Sequence, residues 1–128
     1  MPLVRIALRK GTSPEYRRGI ADGVHQAMVE AIAIPADDRF QVISEYSAEN
    51  LIYDAQYLGV KRSDRVVFIQ ITLSAGRKPG QKRALYKRIT ELLAKSPGVG
   101  PEDVVINLVQ VTWEDWSFGN GVAQYTLD

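Results

Sequence analysis

The chain has no cysteine, so disulfides and thiol chemistry are closed to it. It has one histidine, His25, which is too little for the several His or Cys ligands that zinc takes. Neither a metal nor a cofactor is expected. An excess of charge is also missing: 16 Lys and Arg stand against 15 Asp and Glu in 128 residues. With no long basic run, nucleic acid and membrane surfaces are not expected partners. No apolar stretch approaches the roughly 18 residues of a membrane span. Arg5, Arg9 and Lys10 break up the first apolar run, so no signal-peptide pattern is present. The expectation is a single cytoplasmic domain over 1–128, long enough to bury a real core.

What is there begins with "MPLVRIAL", an apolar strand that opens on Pro2. Proline is acceptable as the first residue of a strand, where its missing N–H is not needed. Processing normally removes Met before a small residue such as Pro. That would leave a prolyl secondary amine at the chain terminus.

The sequence then repeats itself. When residues 5–18, "RIALRKGTSPEYRR", are set beneath residues 70–83, "QITLSAGRKPGQKR", Gly11 falls on Gly76, Pro14 on Pro79 and Arg18 on Arg83, all at an offset of 65. Pro35 and Asp37 fall on Pro101 and Asp103 at an offset of 66. Each half, about 2–46 and 66–112, reads as strand, glycine turn, proline-started helix, Pro-x-Asp and strand. Strands are expected at 3–8, 40–45, 66–73 and 104–112, and helices at 14–33 and 79–95. Tyr16, Ile20, Val24, Ala27, Met28 and Ala31 form one apolar stripe, and Leu85, Ile89, Leu92 and Leu93 form another. Two tandem β-α-β units make an α+β fold: one four-stranded sheet with two helices on one face. The other face would present apolar residues of the third and fourth strands to solvent. Such a face is an association surface, so an oligomer is expected.

Positions shared by both halves serve the fold, and positions that break the symmetry are candidates for chemistry. Asp37 and Asp103 match, which suits turn or strand-entry residues. Asp38 matches the apolar Val104. Arg77 matches Thr12 and lies beside Gly76 and the start of the second helix, where backbone N–H groups favour anions. A guanidinium there suits a carboxylate ligand held by paired hydrogen bonds. The plainer alternatives are a solvated loop arginine and a second turn aspartate. His25 reads as a surface residue beside Val24. Trp113, Trp116 and Phe118 crowd the tail "WEDWSFGNG" within 113–128. They suit core packing, the wall of an apolar pocket or a subunit contact.

Pro2, the repeated unit, Asp38, Arg77 and "DWSFGNG" together resemble the tautomerase superfamily, and within it the malonate semialdehyde decarboxylase-like group. The resemblance covers essentially the whole chain. "PLVRIAL", "HQAMVEAIAIPADDRFQ", "GQKRALYKRITELL" and "WEDWSFGNG" carry it most specifically. It implies the fold of that superfamily, also seen in the macrophage-factor-like proteins, and a homotrimer acting on a small carboxylate substrate. It also implies that Pro2 is the catalytic amine once Met1 is gone. Asp38 would handle water or the proline, Arg77 would bind the substrate carboxylate and stabilise the developing enolate, and Trp116 and Phe118 would wall the site. The decarboxylase carries Arg-Pro-Arg after its third strand. Here the stretch is Ala75-Gly76-Arg77, so only the second arginine has a counterpart.

The chemistry has two branches. A neutral proline amine near an apolar wall is a base for keto–enol tautomerisation of a 2-keto acid. A protonated one, held charged by Asp38, is an acid suited to decarboxylation or hydration of a three-carbon acid. A non-catalytic trimeric binding protein is the expectation from a different class.

Overall fold

The computed structural model describes residues 2–127. Met1 lies outside them, and so does Asp128, the last residue of the tail. The elements follow the order β1 (Leu3–Arg9), α1 (Pro14–Ile32), β2 (Phe40–Tyr46), β3 (Val67–Ser74), α2 (Pro79–Lys95) and β4 (Val104–Val111). Local chemistry explains their ends. Ser13 caps α1 by accepting from the Tyr16 N–H at 3.1 Å, and Pro14 occupies the first turn, where its missing N–H costs nothing. Ala33, in the left-handed region at φ 57°, stops α1 one residue earlier than expected.

The sheet runs β2-β1-β3-β4. β1 pairs in parallel with β2, as β3 does with β4, while β1 and β3 meet antiparallel in the centre. The two β-α-β units are therefore related by a pseudo-twofold axis between β1 and β3. Twin hydrogen bonds mark it: Lys10 N–H to Tyr46 O and Ala75 N–H to Val111 O, both 2.8 Å. Gly11 and Gly76 turn the chain after β1 and β3 at φ 113° and 125°, a region open mainly to glycine. The repeat also reaches further than its sequence match. Short 3-10 turns stand at Ala48–Asn50 and Trp113–Asp115, again 65 residues apart. The aromatic tail is thus the twin of the start of the linker, residues 47–66 between β2 and β3, with Trp116 in the place of buried Leu51.

Alternation along the strands sends Val4, Ile6 and Leu8 of β1 and Val67, Ile69, Ile71 and Leu73 of β3 to the helix side. They pack on Ile20, Val24, Ala27 and Met28 of α1 and on Leu85, Ile89 and Leu93 of α2, and all of these are buried. Each large side chain contributes about 1.5–3 kcal/mol by leaving water. The open face bears out the expectation in part: Phe68 of β3 and Val105, Val109 and Val111 of β4 lie on it, and of these only Val109 is well exposed. β3 gives its branched residues to the core, and Arg5, Gln70 and Asn107 form a polar row across the open face. The exposed apolar residues there belong mainly to the edges: Phe40, Val42 and Tyr46 on β2 and Val109 on β4. Among the described residues no helix is long and apolar enough to cross a membrane.

One ion pair fixes the entry to β2. Arg39 donates to Asp22 of α1 at 2.6 Å, and Arg18 donates to the same carboxylate oxygen at 3.1 Å. The Arg39 hydrogen bond, foremost, holds the Asp22 carboxyl below its ordinary 3.8. A carboxyl depressed by folding stabilises the fold above its unfolded value and loses that contribution as pH falls through the folded value. Asp22→Asn is therefore expected to lower stability at neutral pH by less than about 1 kcal/mol, since the pair is partly solvated. Urea denaturation should show the difference vanishing below the carboxylate range.

Candidate active site

One end of the sheet gathers the residues that broke the repeat. Leu3 pairs with Phe40 on one side and with Thr72 on the other. Pro2, one residue earlier and buried, therefore sits between the entry to β2 and the exit of β3. Asp38 comes in from the β2 side and Arg77 from the β3 side.

Asp38 is half-buried, and its N–H closes a turn onto the Pro35 carbonyl at 3.0 Å. This turn is anchored from below by His25. The expectation of a surface histidine was wrong: His25 is only 8% exposed. Its Nε2 stands 2.9 Å from the Ala36 carbonyl, which can only accept, so Nε2 carries the proton. The stripe that buries Val24 turns far enough round α1 to bury its neighbour under the loop. The matched aspartates also part company. Asp103 is buried and accepts from the Ser63 N–H and hydroxyl, both at 2.7 Å, which ties the linker to the entry of β4. Asp37 is exposed.

Arg77 follows the sharp turn at Gly76. It is half-buried and donates to the Ser74 carbonyl at 2.9 Å. Burial pushes its guanidinium below its ordinary value. No carboxylate among the described residues pairs with it, whereas Arg9, Arg17, Arg18, Arg39 and Arg88 each have one. A partly desolvated cation whose remaining donors have no acid partner is suited to an incoming anion.

The aromatic tail closes over the same end. Trp116 and Phe118 stack at 5.3 Å with planes 11° apart. Phe118 meets Phe40 at 5.7 Å and the Tyr125 edge at 5.1 Å. Gly119, Asn120 and Gly121 all have positive φ and reverse the chain. The Gln124 amide then clamps the reversal, accepting from the Phe118 N–H at 2.9 Å and donating to the Gly119 carbonyl at 3.1 Å. Trp113 packs edge-on against Tyr125 at 5.0 Å and remains half-exposed.

Ser74 joins wall to cation. It is 2% exposed; its hydroxyl accepts from Trp116 Nε1 at 3.1 Å while its carbonyl accepts from Arg77. Sequence reasoning passed over it, as it did Phe40, Gln124 and Tyr125. A serine ending an otherwise apolar strand, directly before the glycine turn, was the available signal. Ser74→Ala strands the indole N–H and is expected to cost about 0.5–1.5 kcal/mol. Chemical denaturation measures it, and a change in tryptophan emission should accompany it.

The arrangement combines a buried Pro2, a half-buried Asp38, a guanidinium with no carboxylate partner among the described residues and a stacked aromatic wall. Among the described residues no group of three or more His, Cys, Asp or Glu could hold a metal ion.

The sequence pattern of one tautomerase enzyme family matches residues 38–119, and that of a second matches residues 2–61. The chain belongs to the tautomerase family. The probable tautomerase YusQ of Bacillus subtilis is 44% identical over 124 residues, covering 97% of this chain and 98% of that one. Among solved structures, the FG41 malonate semialdehyde decarboxylase inhibited by 3-bromopropiolate is 45% identical, with a TM-score of 0.91 and coverage of 96% and 93%. A second malonate semialdehyde decarboxylase is 34% identical, with a TM-score of 0.90 and coverage of 96% and 95%. The tautomerase β-α-β fold is thus shared over nearly the whole chain, and the family is one of enzymes.

Proposed function

We propose that this tautomerase-family enzyme uses the Pro2 amine, freed by removal of Met1, on a small 2-keto carboxylic acid, and that the reaction is keto–enol tautomerisation. The observation that carries the reading is Arg77: a half-buried guanidinium with no acid partner among the described residues, at the end of the sheet where Pro2 lies. Arg77 holds the substrate carboxylate and stabilises negative charge as it develops on the enolate. The neutral proline nitrogen takes a proton from the carbon next to the ketone, and the electron pair moves into the enolate. The prolyl ammonium then returns the proton to the enolate oxygen. A free α-amine titrates near about 8, and apolar surroundings favour its neutral form, which places the base close to neutral pH. Trp116 and Phe118 supply that apolar wall. Asp38 orients the amine or a water from the opposite side.

A second reading has its own support. Two malonate semialdehyde decarboxylases match nearly the whole chain at 45% and 34% identity, one of them inhibited by 3-bromopropiolate, a three-carbon carboxylate. In this reading the amine stays protonated through Asp38 and polarises a β-carbonyl for loss of carbon dioxide, or donates a proton while Asp38 activates water. The Pro2 titration separates the two readings. A value at or below neutral pH, by NMR of protein labelled in proline, supports the base, and a value clearly above it supports the acid. Intact-mass spectrometry establishes whether the amine is free, which both readings require.

The apolar edges of the open face support assembly as a homotrimer with the sheets turned inward. Val42→Glu places a charge among Phe40, Tyr46 and their partner-facing surroundings. It is expected to shift the sedimenting species from trimer to monomer, while a protein that already sediments as a monomer would overturn the assembly.

A further inference from the structure

The pseudo-twofold axis gives the molecule a second turn of the same build as the one that carries Arg77. Residues 10–13, at the opposite end of the sheet, stand where residues 75–78 stand at the catalytic end. The two glycines share their left-handed backbone and the two turns share the same 2.8 Å strand-to-turn hydrogen bond. A cavity of about 540 Å³ opens at this second turn. Its floor is apolar, made by Leu8, Val66 and the ring of Tyr16.

The cavity is also cationic. Arg9, Lys10 and Arg65 line it against a single carboxylate, Asp64. Asp64 is already engaged, by Arg9 at 3.2 Å and by the Tyr53 hydroxyl at 2.6 Å. Arg9 Nε is buried with no hydrogen-bond partner. Arg65 lies over the Tyr16 ring at 5.4 Å. No carboxylate among the described residues pairs with Lys10 or Arg65. Two hydroxyls add donors. Thr12 Oγ1 accepts from Arg17 at 3.2 Å and Ser13 Oγ accepts from the Tyr16 N–H, which leaves each hydroxyl hydrogen free to donate.

We propose that this cavity is a second binding site, for a small organic carboxylate with an apolar body. The anion lies against Lys10, Arg65 and the Thr12 and Ser13 hydroxyls, and the body rests on Tyr16, Leu8 and Val66. The site binds without turnover. Position 67, which the repeat places where Pro2 stands, is a valine inside the chain and offers no amine. The inference does not depend on the catalytic reading.

Each turn contains one glycine, so the amides of Gly11 and Gly76 report the two sites separately in a ¹H–¹⁵N spectrum. Phenylacetate, an unreactive aromatic carboxylate, is the probe. It is expected to move Gly11 saturably. The double substitution Lys10→Gln and Arg65→Gln, at two exposed positions, should weaken that titration at least tenfold. Turnover and the behaviour of Gly76 should stay as in the unaltered protein, which also shows that the variant is folded. A Gly11 amide that does not move overturns the proposal. So does an equal titration in the double variant. An equal response to neutral benzyl alcohol does the same, since it would mark an apolar groove without anion recognition, and an equal response to inorganic phosphate would remove the role of the apolar body.

Discussion

Pro2→Ala is expected to lower kcat/KM for phenylpyruvate tautomerisation by about 10²–10⁴-fold, the range a positioned general acid–base group supplies. Alanine also permits removal of Met1, so the variant keeps a terminal amine but loses the ring that fixes φ and aims the nitrogen. Pro2 is buried between the β2 entry and the β3 exit, and a primary amine on a freer backbone spends less time in the reacting geometry. Steady-state kinetics on protein whose intact mass confirms the free terminus is the measurement. A loss of tenfold or less would sink the role given to Pro2. The folded state provides the control, because position 2 precedes β1 and contributes no ladder hydrogen bond from its nitrogen.

Arg77→Gln carries the second large effect. The substitution keeps a polar side chain but removes the charge and the guanidinium fork. A charge-assisted pair to a substrate carboxylate contributes about 1.5–3 kcal/mol, so kcat/KM should fall by about 10- to 150-fold. Most of the change should appear in KM if Arg77 only binds the carboxylate. A shared fall in kcat would show that it also stabilises the enolate. A substrate analogue lacking the carboxylate distinguishes binding from damage: it should react equally with both proteins. Equal kcat/KM for the carboxylate substrate would mean that Arg77 is a loop arginine and no more.

A pseudo-twofold fold repeats whatever the backbone needs and leaves free what it does not. Glycines at 11 and 76 recur because both turns require positive φ. Thr12 and Arg77 differ because the turn tolerates either. That is why Asp38 and Arg77 stand out in the sequence alone. The same filter could not find Ser74 or Phe40. Ser74 reads as a strand residue until Trp116, 42 positions on, is seen to donate to it. Phe40 reads as an ordinary strand opening until Phe118 meets its ring. His25 was misread for a related reason: helical periodicity locates the face turned to the sheet but is blind to a loop folding back over the rim.

The sequence by itself determined the two β-α-β units, the ends of the helices, the shared family and the residues that depart from the repeat. Those follow from local rules: period, capping, turn chemistry and identity at fixed offsets. Only the tertiary structure decided that β1 and β3 run antiparallel in the centre. That one pairing sets the start of β1 opposite the end of β3, so position 2 and the turn that carries Arg77 fall at the same end of the sheet. It also decided that a cavity opens at the opposite turn. Both outcomes depend on contacts between residues far apart in the chain, which no local pattern encodes.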